Sequence, residues 1–166
     1  MKSDRSYYAD IQSDIIKHVA KMSPKDRFGR WLINLDGCDY SMYVMEDGAV
    51  GYVIPHQYDV ISGINAMMPN MVSGLAPEFV NSLVNDTDLV ECGVVDIATV
   101  NDVTVAELRA DGDAESIWVN FKFFKKFYPQ GRNYCYKVSK FGVKQSLYIF
   151  RGDVLVAIIM AIRQGI

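Results

Sequence analysis

Lys122, Lys125 and Lys126 lie close together in the stretch Asn120-Phe121-Lys122-Phe123-Phe124-Lys125-Lys126-Phe127-Tyr128-Pro129. On a helix turning about 100° per residue, the three lysines share one side and the five aromatic residues take the other. Ammonium groups gathered this way are suited to phosphate oxygens. Such contacts bind nucleic-acid backbone with strong salt dependence and no sequence preference. Arg132, Lys137, Lys140 and Lys144 follow in the same part of the chain and extend the candidate surface. The competing reading is a solvated face of an amphipathic helix, whose aromatic side is core rather than a base-stacking platform.

The formal net charge of −3 conceals a division. Residues 1–116 hold 8 Lys and Arg against 19 Asp and Glu, whereas residues 117–166 hold 9 against the single Asp153. Segregation of this kind creates a field that steers a polyanion toward one part of the surface. It is also compatible with mutual neutralisation within the fold, with head-to-tail self-association, or with a basic face that meets an acidic partner protein.

Other chemistry finds little support. Cys38, Cys92 and Cys135 are odd in number and widely spaced, and His18 and His56 stand apart, so neither a disulfide framework nor a zinc site is expected. Asp111, Asp113 and Glu115 do not complete a calcium-binding loop. Asp86, Asp88 and Glu91 have no accompanying nucleophile or base. There is no P-loop, dinucleotide fingerprint, GxSxG or HExxH. The chemistry points to a non-enzymatic module without a cofactor. No apolar run approaches the roughly 18 residues of a membrane span, and charges at Lys2, Asp4, Arg5 and Asp10 break any secretory pattern. A cytoplasmic protein is therefore expected.

The elements that must position these residues follow from periodicity. Tyr8, Ile11, Ile15, Val19 and Met22 predict an amphipathic helix over 6–22, ended by Pro24. Strands are predicted at 30–36, 40–45 and 49–54, with a turn at Glu46-Asp47-Gly48. Residues 57–75, with Met67, Met68 and Met71, resist assignment; Pro77 to Val84 reads as a helix. A hairpin is expected over 89–110, turning at Asn101-Asp102, then a short strand at 116–119. Asn120 is a suitable N-cap for a helix over 121–128, followed by strands at 134–140, 147–150 and 154–162.

The end of the chain therefore repeats the beginning, helix then three strands, and Tyr43 to Ile54 aligns crudely with Tyr148 to Ile159. The segment Ile117 to Arg163 resembles the closing half of a bacterial DNA sliding clamp subunit, the DNA polymerase III beta subunit. The resemblance rests on Ile117-Trp118-Val119, Asn120 and its helix, Leu147-Tyr148-Ile149-Phe150, and the final run Ala157 to Arg163. It implies an α+β, DNA-clamp-like fold: a single domain 1–166 of two helix-plus-three-strand units, 6–55 and 117–163, joined by 56–116 with a helical insertion. It further implies DNA as a partner, met by the basic helix, and assembly into a homo-oligomer. A clamp subunit carries three such domains, and this chain is long enough for one.

Overall fold

The computed structural model describes residues 3–23, 25–45, 49–63, 71–75, 89–110, 116–128, 134–139 and 146–162. They fall into two compact units, one of Met1–Asp47 with Gly51–Asn85, the other of Gly48–Val50 with Asp86–Ile166.

In the first unit, helix α1 (Asp4–Ala20) starts where the Ser3 side chain accepts the Ser6 N–H, and it buries Tyr8, Ile11, Gln12 and Ile15. This is the face predicted by the three-and-four spacing. The strands are β1 (Phe28–Leu35), β2 (Cys38–Met45), β3 (Val50–Pro55) and β4 (Met71–Leu75). Their order is β4-β1-β2-β3, with β4 parallel to β1 and β2 antiparallel to it. β1 and β2 turn tightly through Asp36 and Gly37, both at positive φ, the conformation a two-residue hairpin loop requires.

Gln12 does more than fill this core. Its Nε2 donates to the backbone oxygens of Tyr58 (2.7 Å) and Tyr8 (3.2 Å), while its Oε1 accepts the N–H groups of Val60 (2.8 Å) and Ile61 (3.3 Å). One buried amide thus ties the loop after β3 to α1. Replacing it by alanine takes the partner from the buried Ile61 N–H and from the part-buried Tyr58 carbonyl and Val60 N–H, an expected loss of about 1–3 kcal/mol readable by urea unfolding.

The second unit holds β5 (Leu89–Val100), β6 (Val103–Ala110), β7 (Ser116–Asn120), the short helix α2 (Phe121–Phe124), β8 (Tyr134–Ser139), β9 (Ser146–Arg151) and β10 (Val154–Met160). The order is β10-β9-β8-β5-β6-β7, antiparallel throughout. Leu155 to Ile159 are buried without interruption, which is why β10 reads as a continuous apolar run rather than an alternating one. The Met160 N–H donates to Ala49 O (2.9 Å), which draws residues 48–50 into this unit, and the Ile162 N–H donates to Trp118 O (2.7 Å).

This architecture corrects the expected α+β, clamp-like plan of two helix-plus-three-strand units around a helical insertion. Ten strands dominate, four in one unit and six in the other. Two physical causes lie behind the difference. The segment 89–110, expected to be connecting chain, inserts β5 and β6 between β8 and β7, so 117–163 is not a self-contained unit. Residues 71–75 add a parallel strand to β1. The helix expected over 77–84 and the turns at 46–48 and 111–113 lie outside the described residues.

Candidate nucleic-acid interface

The lysine cluster is built from β7 outward. Asn120 closes that strand, and its side-chain oxygen accepts the Lys122 N–H at 2.9 Å, starting α2. Rather than continuing to 128 as one helix, the chain tightens into a 3-10 turn over Lys125–Phe127, and the Tyr128 N–H closes on Lys125 O at 3.2 Å. Phe124 and Phe127 are buried. Their packing explains the tightening: Phe124 sits 5.1 Å from the Tyr136 ring, Phe127 sits 5.6 Å from Tyr134, and the Tyr136 hydroxyl donates to Phe127 O at 2.5 Å. Burial, reinforced by the Tyr128 and Tyr134 hydroxyls, pushes Tyr136 up to about 12, so this phenol keeps its donor proton through neutral pH. Of the aromatic side expected to be core, Phe124 and Phe127 are buried, Phe121 and Phe123 are half-buried and Tyr128 is exposed.

Lys122 and Lys125 project from this anchored turn into solvent, and Lys126 is half-buried. The Lys122 ammonium lies 5.3 Å from the Phe123 ring centroid, a contact that keeps the charge and restrains its stem. Lys137 is placed differently. It stands opposite Glu91 in the β5–β8 ladder, with its ammonium 4.8 Å from the Phe150 ring. Lys137 therefore has an acidic cross-strand neighbour, unlike the lysines of the turn. Arg132, Lys140 and Lys144 lie outside the described residues. The structure thus keeps Lys122, Lys125 and Lys126 together and separates Lys137 from them.

The cysteines of this unit are not activated nucleophiles. Burial, aided by Cys135, raises the Cys92 thiol to about 12. Cys135 is also raised, by burial and then by Glu91, whose Oε1 accepts from its thiol at 3.7 Å. No group of three or more metal-ligating side chains occurs among the described residues. No helix among them is long and apolar enough to cross a membrane.

A polar cluster in the first unit escaped the sequence reading. The Asp59 carboxylate, with a fully buried side chain, receives Ser41 Oγ (2.6 Å), Tyr43 Oη (2.6 Å), the Ser62 N–H (3.2 Å) and both Nε and Nη2 of Arg30 (3.3 and 3.2 Å). Arg30 and Tyr43 face each other across β1 and β2. Burial alone would raise the Asp59 pKa, but the hydroxyls of Ser41 and Tyr43, the Ser62 amide and the Arg30 guanidinium outweigh it and leave it below the usual carboxylate value. Tyr43 is pushed the opposite way, by burial and by its bond to Asp59. With five donors on one carboxylate, Asp59 is saturated as an acceptor, and the cluster holds the loop after β3 in place. The signal in the sequence was faint: Ser41 and Tyr43 share one face of a strand, where that face is otherwise core.

No protein-family model, curated protein or solved structure matches this chain. The functional reading therefore rests on the geometry of these residues.

Proposed function

We propose that this chain is a non-enzymatic module that works beside DNA and holds backbone phosphates with Lys122, Lys125 and Lys126, with Arg132, Lys137, Lys140 and Lys144 as outlying contributors. The observation that carries the reading is the exposure of Lys122 and Lys125 on a turn pinned from beneath by Phe124, Phe127 and Tyr136. Charges on a fixed support lose less conformational freedom on binding than charges on a loop. The resemblance of residues 117–163 to part of a sliding clamp subunit lies in sequence alone, since the strand order overturns the clamp-like plan, and it supplies the DNA context; assembly into a homo-oligomer belongs to the same proposal.

The test is binding to a fluorescent DNA duplex across a salt series, with light scattering on the same sample. Affinity that falls steeply as salt rises, from an oligomer, is the expected result. No binding at low salt overturns the proposal and leaves the basic residues to an acidic protein partner.

A further inference from the structure

β5 is longer than the strand beside it. β8 pairs only with Leu89–Cys92, so among the described residues no strand pairs with Gly93–Val100 on the side away from β6. Asp96, Ala98 and Thr99 are exposed there, and Val95 and Val100 are 51% and 56% exposed.

The two-residue loop Asn101-Asp102 fixes which backbone groups face that open side. Val100 and Val103 flank the loop and bond each other, as does the Ala98–Val105 pair, so Ile97 and Thr99 direct N–H and C=O away from β6. The Thr99 and Thr104 hydroxyls, 3.0 Å apart, fit the closer, non-hydrogen-bonded pair this alternation requires. The outward Ile97 N–H is met by the carboxylate of the preceding residue, Asp96 Oδ1, at 2.9 Å. The register also slips between Val94 and Asp96, a bulge that bends the strand at the same point. A capped donor and a bulge are two ways of discouraging indiscriminate pairing at an edge.

The side-chain chemistry selects what can overcome them. The hairpin 89–110 carries Glu91, Asp96, Asp102 and Glu107 against Arg109 alone, and Glu107 is already engaged with Arg109 at 3.1 Å. A second copy adding by this edge would bring Asp96 near its own counterpart, which repels. A strand bearing Lys or Arg is attracted, and its cation would draw the Asp96 carboxylate aside and release the Ile97 N–H for a new ladder. We propose that the edge from Asp96 to Val100 is a docking site for an extended, basic polypeptide segment of a partner protein, which adds to β5 as a strand with Asp96 as the latch.

The probes are two synthetic peptides that alternate Val or Thr with Lys in one case and with Glu in the other, titrated into the full chain with amide hydrogen exchange as readout. The Lys peptide is expected to bind at least about tenfold tighter and to slow exchange at Ile97 and Thr99. Asp96→Asn keeps an oxygen for the Ile97 N–H but loses the charge, so the preference for Lys should vanish. Asp96→Ala uncaps the edge and should add concentration-dependent self-association. Equal affinity for the two peptides overturns the inference. So does binding that leaves Ile97 and Thr99 unprotected, which marks a mere surface charge contact, or a wild-type chain that dimerises through β5. The Lys peptide should bind equally when Lys122, Lys125 and Lys126 are replaced, which makes the result independent of DNA binding.

Discussion

Replacing Asp59 by alanine should remove about 3–5 kcal/mol of stability, the cost of breaking a buried pair from one side. The carboxylate is the acceptor shared by Arg30, Ser41, Tyr43 and the Ser62 amide, and the Arg30 side chain is only 13% exposed. Removing it strands a cation and two hydroxyls together. Against a typical total of about 5–15 kcal/mol, that loss is large. Asp59→Asn should be nearly as harmful, because an amide nitrogen would confront Arg30 or a hydroxyl. Tyr43→Phe withdraws one donor and leaves four, so about 1–2 kcal/mol is expected. Urea unfolding of the three variants, followed by a probe in the first unit, checks the ranking; a mild Asp59→Ala would show that the cluster does not hold the loop.

The same cluster has a signature in pH. Asp59 has a depressed pKa in the folded chain, so its contribution is complete above the ordinary carboxylate value of 3.8 and is lost as pH falls through the lower folded value. Tyr43 has a raised pKa, so its contribution is complete below the ordinary phenol value of 10.0 and fades as pH rises beyond it. The stability difference between wild type and Asp59→Ala should therefore be flat from about pH 4 to pH 10 and shrink on either side. A difference that changes near pH 6 or 7 would point to another titrating group.

Most strands were legible in the sequence because they are short, apolar and punctuated. The Asn101-Asp102 turn and the break between the strands at 147–150 and 154–162 were found, and both observed loops use positive φ, at Asn101, Asp102 and Gly152. What local pattern could not supply was pairing. The strand β8 joins β5, some 40 residues earlier, in a register that pairs the half-buried Cys92 and Tyr136 rather than one set by any turn. That one pairing converts an imagined repeat into a six-strand unit. The helix over 121–128 illustrates a second limit. Its periodicity was real, yet Phe124 and Phe127 must both reach core, and the last turn tightens to place them. For the candidate sites, the lysines were visible as a charge cluster. The Asp59 cluster was not, since Asp59 lies far in sequence from Arg30, Ser41 and Tyr43, and only the fold brings the four together.

Charge reversal at Lys122, Lys125 and Lys126 should weaken duplex binding on the order of a hundredfold at low salt. Each substitution removes an attractive contact and adds a repulsive one, so the effect should exceed that of the triple alanine variant. The salt dependence carries the sharper information. Each phosphate contact contributes about 0.9 to the slope of log affinity against log salt, so losing three should flatten it by about 2.7. Affinity lost with the slope unchanged would mean that the variant had disturbed the fold and not the contact, and the anchoring geometry makes this separable. Lys122 and Lys125 are exposed, while the turn is held by the Asn120 cap and by Tyr136 on Phe127 O, so a variant reversed at these two alone should unfold at nearly the wild-type urea concentration and serves as the stability control for the triple change. Lys137→Glu, in contrast, should cost stability because it sets a second carboxylate opposite Glu91, and as one outlying contact it should flatten the slope by no more than about 0.9. A slope that responds to Lys137 and ignores the other three would move the interface away from the turn and onto the β5–β8 ladder.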